Sequence, residues 1–419
     1  MKQIQFPENI HEYNLGLVSF HFSKESAVIK LKNRDGMNRR EFLKLGLMGT
    51  TSTILAGKIL ADAVQAYAQS EQSAFPAPVY RTLGRTGLKV SMIGFGAMLT
   101  PEPEVIRVAF EHGVNYVNTS RKYMAGKNEE IVGKALQGFR SKVFVATKIQ
   151  TELNTKEAIF RDVEASLKAL GTDYIDVIQL DANADKDRIF RSEPREAFTK
   201  LKEQGKIRFC GVAVHKNPLG VVNSLVDDTS RFFDTIMVSY NFKSEKELTG
   251  AISRAAKNGM GIIAMKTQIG GYDTAALGSI SPHQAALKWV LHNPDIATTV
   301  PGMKSLAELT ENIAVMGMQF KASDQRILQT YSEAVQPYYC HLCGACEGSC
   351  PQGVEISSVN RSLMYAEGYR HRDLALSTYR EIPHASSAAA CLDCAECIAH
   401  CSKGLNISAK MERARELFG

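Results

Sequence analysis

Two cysteine runs near the C-terminus constrain this chain more than any other feature. They read Cys340-His-Leu-Cys343-Gly-Ala-Cys346-Glu-Gly-Ser-Cys350 and Cys391-Leu-Asp-Cys394-Ala-Glu-Cys397-Ile-Ala-His-Cys401, and hold eight of the nine cysteines. Both have the spacing C-x2-C-x2-C-x3-C, the pattern of [4Fe–4S] ligation: three thiolates wrap one cluster, and the fourth is carried away to ligate the other. Crossed ligation gives Cys340, Cys343, Cys346 and Cys401 to one cluster, and Cys391, Cys394, Cys397 and Cys350 to the other. Structural zinc uses four ligands from paired C-x2-C knuckles and leaves the extra cysteine of each run without a role. Disulfides suit an exported protein, but stapling loops does not call for two identical spacings.

Pro351 follows the first run, whereas Ser402 stands where the second would have proline. Between the runs, residues 351–390 carry Val359, Leu363, Met364, Leu374 and Leu376 among charged residues, a helical pattern. The spacing and the insert together predict a small α-helical, ferredoxin-like two-cluster domain over 337–419. His341 and His400 flank the cysteines and are expected to tune hydrogen bonding, not to ligate.

A chain of 419 residues has room for a second, larger domain. Its net charge is +6; nine basic and six acidic residues fall within the first 68, and no basic block follows. This excludes nucleic acid as an expected partner. Asn38-Arg39-Arg40-Glu-Phe42-Leu43-Lys44 resembles a twin-arginine translocation signal. The uncharged stretch Leu45–Gly57 behind it is too short to span a bilayer, and Ala66-Tyr67-Ala68 offers a cleavage site. Residues 1–68 are therefore assigned to an N-terminal extension and signal, with no clear pattern over 1–36 and Met37 as an alternative start. Residues 69–79 are a linker. The expected destination is periplasmic, or a membrane-anchored position facing outward if the signal stays uncleaved. The translocation machinery is then one partner, and no stable membrane span is expected.

From residue 80 to about 320, short apolar runs alternate with amphipathic stretches. Tyr80–Ser91 forms a predicted hairpin. Strands are predicted at Ile93–Ala97, Tyr116–Thr119, Val143–Thr147, Ile175–Leu180, Arg208–Val214, Thr235–Val238, Gly261–Met265 and Ala297–Val300. Helical stretches lie between them, such as Lys156–Leu170 with Ile159, Val163, Leu167 and Leu170 on one face. Alternation implies parallel pairing, and eight units fit an α/β (β/α)8 TIM barrel. An open doubly wound sheet is disfavoured, because no Gly-x-Gly-x-x-Gly follows the first strand. Chemistry in such a barrel sits at the C-terminal strand ends, which here present Asn118, Lys148, Asp181, His215, Tyr240, Lys266 and Lys304.

Several segments resemble the aldo-keto reductase superfamily: Tyr80–Ser91, Asn118-Thr-Ser-Arg-Lys-Tyr123, Val145-Ala-Thr-Lys148, Leu170–Val177, Ser239-Tyr-Asn241, Val300-Pro-Gly302 and Glu311-Asn312. Met265-Lys266-Thr267 with Gly270-Gly271 is similar to the branch carrying an export signal and a C-terminal ferredoxin domain. The resemblance implies an oxidoreductase acting on a small carbonyl or alcohol with NAD(P)H and an Asp, Tyr, Lys and His tetrad. Tyr123, the proton donor, and Lys148 fall on their positions; Asn118 replaces the Asp and Asp181 replaces the His. Asp181 is accordingly expected to supply the counter-charge that Asn118 cannot. Asn241, Lys266, Lys304, Ser305, Glu311 and Asn312 fall on the cofactor positions. Met237 and Met265 flank the expected nicotinamide position, and Ala213 and Val214 replace polar residues. Glu308 stands where the 2′-phosphate of NADP is often held, so nicotinamide use stays open beside electron supply from a redox protein. The alternative is a ligand-binding scaffold joined to an electron-transfer domain. Cys210 is expected to be a buried thiol, and Met316, Met318 and Met364 to fill the core.

Overall fold

The computed structural model describes residues 12–15, 18–22, 27–31, 75–150, 155–181, 187–270, 281–394 and 396–419. Contacts divide the chain into two compact units, Met1–Gln72 and Ser73–Gly419. In the first, strands β1 (Glu12–Leu15), β2 (Val18–Phe22) and β3 (Ala27–Leu31) pair as an antiparallel meander. This is structure where the sequence offered no pattern. The twin-arginine motif and its cleavage site lie outside the described residues.

The second unit starts with the hairpin β4 (Tyr80–Thr82) and β5 (Lys89–Ser91). The barrel strands follow: β6 (Phe95–Gly96), β7 (Tyr116–Asn118), β8 (Phe144–Ile149), β9 (Ile175–Asp181), β10 (Ile207–Val214), β11 (Thr235–Ser239), β12 (Gly261–Met265) and β13 (Ile296–Thr299). Neighbours pair in parallel in sequence order, and the bridges Ile93↔Thr299 and Gly96↔Gly302 close the sheet into a barrel. The predicted strands match within a few residues, except that Ile93 contributes a single bridge.

Barrel helices α1 to α8 are Pro103–Glu111, Lys127–Leu136, Lys156–Leu170, Ser192–Glu203, Pro218–Asp227, Lys246–Lys257, Pro282–His292 and Leu306–Ile313. In α3 the Thr155 hydroxyl caps the first turn by accepting from the Ala158 amide at 3.2 Å, and Gly171 ends the helix at φ 63. The face carrying Ile159, Val163, Leu167 and Leu170 is buried, each residue contributing about 1.5–3 kcal/mol.

The hairpin plugs the barrel floor. Leu83, Leu88 and Val90 join Tyr116, Val177 and Ile263 in the interior. Arg81 donates to the carbonyls of Leu291, Asn293 and Ile296 at 2.7–3.0 Å. Gly84 has φ +49, and a Cβ there would sit 2.3 Å from the Gly261 amide nitrogen, against backbone that cannot yield. Gly84→Ala is therefore expected to cost at least about 2 kcal/mol in urea unfolding, from left-handed strain and overpacking together.

Helix α9 (Ala322–Val335) leads from the barrel to the first cysteine run. Helix α10 (Ile356–Leu363) runs into a π turn, Met364–Gly368, and is followed by α11 (Arg372–Arg380) and α12 (Ile407–Phe418). Val354, Val359, Leu363, Leu405, Ile407 and Met411 form a small core. Met364, Tyr365 and Ala375 pack against Met98 of the barrel. The expected helical insert is present, and its second face lies on the barrel. Cys210 is fully buried and Met316 and Met364 are buried, but Met318 is 51% exposed and fills no core.

Candidate active site

The C-terminal strand ends open into a cavity of about 450 Å³, joined by shared wall residues to a second of about 270 Å³. Tyr123, His215, Met98 and Tyr365 line both lobes. Tyr365 belongs to the cysteine-bearing region, as do Tyr369 and Arg370 in the large lobe and Arg361 in the small one. The insert between the cysteine runs thus roofs the barrel mouth, and its π turn lies at that roof, where such turns are often functional.

Tyr123 opens a short turn in which Met124 and Ala125 both adopt φ 53. Non-glycine residues hold such angles only when the surroundings impose them. The Lys148 ammonium, on a side chain 2% exposed, lies 4.8 Å from the centre of the Tyr123 ring. It donates to Asn118 Oδ1 at 2.6 Å and to the Thr119 carbonyl at 2.8 Å. Asn118 passes the chain on, donating to Gln179 Oε1 at 2.9 Å. Asn118 therefore supplies a lone pair to the ammonium but no charge.

Burial lowers the Lys148 ammonium to about 7, while the carboxylates Asp181 and Glu129 work to raise it. Asp181 lies in the small lobe and acts on Lys148 through space. Burial, reinforced by Tyr365, Asp181 and Tyr369, pushes the Tyr123 phenol up, and Arg361 partly opposes this. Tyr123 is thus a neutral hydrogen-bond donor across ordinary pH.

Lys266 sits at φ 54 and bonds His215 Nδ1 at 3.1 Å. Burial lowers its ammonium to about 7, with Arg361 and Lys148 lowering it and Asp181 raising it. His215 is held well below its ordinary range by burial and by the cations around it, so its ring is neutral. Of the expected cofactor residues, Lys266, Lys304, Glu311 and Asn312 line the large lobe, together with Met237 and Met265. Asn241 is buried elsewhere, donating to Tyr339 Oη at 2.9 Å and to the Lys266 carbonyl at 3.2 Å. It links the barrel to the residue before Cys340. Tyr240 is a core residue bonded to Thr249 and Asn293.

At the far end of the large lobe, Ser305 caps α8 by accepting from the Glu308 amide at 3.3 Å. Glu308 accepts from the Lys304 amide at 2.7 Å and pairs with the Lys304 ammonium at 3.7 Å. The two groups that could have offset Glu308 are thus already engaged with this turn, and the residues do not fit a 2′-phosphate.

The eight cysteines of the runs carry no disulfide. Burial, with Cys346, Cys343 and Cys401 beside it, pushes the Cys340 thiol up to about 12. Cys391 is raised by burial and by Cys350, Cys394 and Cys397, against the lowering effect of Arg415. These neighbours form two quartets, each taking three thiols from one run and one from the other. Among the described residues, no three Cys, His, Asp or Glu side chains close on a single metal ion. A cubane suits the quartets better, because each thiolate binds a different iron of a larger body.

Residues 99–276 match the model of the aldo/keto reductase family, and residues 339–405 match the 4Fe-4S dicluster domain. The chain carries an aldo/keto reductase domain followed by a 4Fe-4S dicluster domain. The uncharacterized oxidoreductase YqkF of Bacillus subtilis is 27% identical over 303 residues, spanning 62% of this chain and 97% of that protein. L-galactose dehydrogenase of Arabidopsis thaliana is 28% identical over 303 residues, 61% of this chain and 94% of its own. Aldo-keto reductase AKR11C1 from Bacillus halodurans, in its holo form, superimposes with a TM-score of 0.52 at 25% identity, over 60% of this chain and 96% of that one. The aldo/keto reductase domain makes the chain an oxidoreductase, and the cluster-domain match at residues 339–405 lies beyond it.

Tyr123 and Lys148 come together as the resemblance implies, and the roof is the part of the site that only the structure adds. Arg361, Tyr365 and Tyr369 recur every four residues, on a different face from Val359 and Leu363. That two-faced pattern is the signal that α10 continues and has something to cover.

Proposed function

We propose that this aldo/keto reductase is an exported iron–sulfur oxidoreductase that interconverts a small carbonyl and its alcohol in the roofed chamber. The observation carrying this reading is that the Tyr123–Lys148 pair faces a cavity whose roof comes from the cluster-binding region. Two [4Fe–4S] clusters would be held by Cys340, Cys343, Cys346 and Cys401, and by Cys391, Cys394, Cys397 and Cys350. When bound, they supply one-electron transfer.

The protein's own part is protonic. Neutral Tyr123 donates a hydrogen bond to the carbonyl oxygen. As that oxygen gains alkoxide character it becomes a far stronger base than phenolate and takes the Tyr123 proton, which is general acid catalysis. The Lys148 ammonium beside the ring stabilises the phenolate left behind. Asp181 helps keep that ammonium protonated, which supports the relocated counter-charge. The roof narrows the access of water to the pair, and a drier site strengthens each of these interactions.

Tyr123 supplies only the proton on oxygen. The two electrons and the hydrogen on carbon would come together as hydride from NADH, or as two electrons from a redox protein with a second proton drawn from solvent, since the phosphate end does not suit NADP. NADPH should bind at least about tenfold more weakly than NADH, and Glu308→Gln should narrow that gap in fluorescence titrations, since a carboxylate repels the 2′-phosphate. Export is supported by Arg39-Arg40 before Phe42-Leu43 and by Ala66-Tyr67-Ala68, and cell fractionation tests it. A ligand-binding scaffold is the second reading, favoured by the replacement of two tetrad residues by Asn118 and Asp181. The two are separated by supplying reduced, anaerobic protein with a panel of aldehydes and ketones. Turnover that Tyr123→Phe abolishes supports catalysis; ligand binding without any turnover supports the scaffold.

A further inference from the structure

The two lobes of the chamber are crowded with cations. Lys122, Lys148 and Arg361 line the small lobe, and Lys266 and Arg370 line the large one beside the shared His215. Carboxylates on this side are Asp181 and Glu381; Glu308 and Glu311 lie in the large lobe with Lys304, at its α8 end. Glu381 serves the rim, 3.2 Å from Lys122 and 3.8 Å from Arg361. The two lysines deeper in are held differently. Lys148 bonds only neutral oxygens, and the partner of Lys266 is a neutral imidazole nitrogen. Among the described residues, neither ammonium has a carboxylate within ion-pairing distance.

Lys148 is buried and Lys266 half-buried, and a desolvated cation without a carboxylate partner carries a cost that a bound anion would offset. The backbone at Lys266 is also held in the left-handed region, where a lysine is uncommon. The Lys266 ammonium stands 5.7 Å from the centre of the Tyr365 ring on the roof, so it projects into the space under α10 instead of away to solvent. Its pKa is lowered chiefly by burial, with Arg361 and Lys148 adding to that effect and Asp181 opposing it.

We propose that the chamber recognises a substrate by an oxyanion, a carboxylate or a phosphate, held by Lys266 and by Arg361 of the cluster-binding region. The inference rests on the reading of this cavity as the substrate site and names the substrate class. Arg361 brings a planar, two-pronged donor suited to oxyanions, and Lys266 brings a point charge. Binding places the anion beside Tyr123, which lines both lobes. The recognition element therefore belongs partly to the domain that holds the clusters, and a bound anion ties roof to barrel.

The test is calorimetric titration of anaerobically purified, cluster-loaded protein with pyruvate, with inorganic phosphate and with methyl pyruvate, the uncharged counterpart of the first. At least one anion is expected to bind at least about tenfold more tightly than the ester, and the preferred anion tells carboxylate from phosphate. Lys266→Met is expected to weaken that anion at least about tenfold, the scale of a hydrogen bond to a charged group. Lys266→Arg, which keeps the charge, should retain most of the affinity. Anion affinity should also fall as pH rises through about 7, where Lys266 and Lys148 give up their protons. Ester binding as tight as anion binding, or anion affinity indifferent to Lys266→Met, overturns the proposal. Binding is read without turnover, so the two readings fail separately. Lys266-dependent anion binding without any carbonyl reduction counts against the reductase alone, whereas reduction of neutral carbonyls with no anion binding counts against this inference alone.

Discussion

Cys401→Ser is expected to remove the same cluster as Cys340→Ser, although Cys401 ends the second cysteine run. Cys350→Ser, conversely, should resemble Cys391→Ser. The expectation follows from the quartets: Cys340 is surrounded by Cys343, Cys346 and Cys401, and Cys391 by Cys350, Cys394 and Cys397. Each substitution should lower the iron content from about eight to about four per chain, one cubane's worth. Electron paramagnetic resonance of the reduced protein should show one of two signals lost, the same one within each group. Grouping by run instead of by quartet would mean that each run holds its own cluster. The cluster proposed at the Cys340 quartet carries more of the junction. The Leu342 carbonyl accepts from the Asn217 amide at 2.9 Å, Glu347 pairs with Lys216 at 2.6 Å, and Tyr339 bonds Asn241 of the barrel. Its loss should therefore also lower the protease resistance of this junction.

The second large effect is expected at Lys148. Lys148→Met should lower carbonyl turnover at least about a hundredfold, the scale of a lost acid–base partner, without lowering thermal stability in proportion. The buried ammonium has neutral partners and costs desolvation energy, which its removal returns. Asn118 Oδ1 and the Thr119 carbonyl lose a donor, a cost of about 1–3 kcal/mol of the opposite sign. The pH dependence makes this specific. The folded pKa of Lys148 lies near 7, below its ordinary 10.5. The unfolded chain therefore binds the extra proton between these values, and this group's contribution to stability improves as pH rises through that window. Activity should do the reverse, falling above about 7 as the ammonium that supports the Tyr123 phenolate is lost. Both trends should vanish in Lys148→Met. Asp181→Asn should shift the activity limb to lower pH, because Asp181 raises the Lys148 pKa; an unchanged profile would show that the counter-charge has not moved there.

Much of the barrel was legible in the sequence, because its signals are local. Apolar runs such as Ile175–Leu180 and one-faced helices such as Lys156–Leu170 announce themselves by period alone. The cysteine quartets were legible because metal ligation fixes spacing along the chain. What was not legible depends on tertiary placement. Nothing in Asn241 itself shows that its amide is directed to Tyr339 and away from the cavity. The exposure of Met318 depends on where the chain leaves the barrel after α8. The roof was hidden for a different reason: Arg361, Tyr365 and Tyr369 sit far from the barrel in sequence, inside a segment that looked complete as cluster scaffolding. Its apolar face satisfied the expectation of a helical insert, so the second face went unassigned.

The proposed function makes the barrel cavity and the cluster-binding region one redox site, with the roof of one built from the other. The most direct measurement is a spectroscopic redox titration of anaerobically purified, cluster-loaded protein, with and without a carbonyl ligand bound in the cavity. The bound ligand is expected to shift the midpoint potential or the resonance spectrum of at least one cluster, and Tyr365→Ala, which opens the roof, is expected to diminish the shift. Potentials and spectra that are identical with and without bound ligand would contradict it.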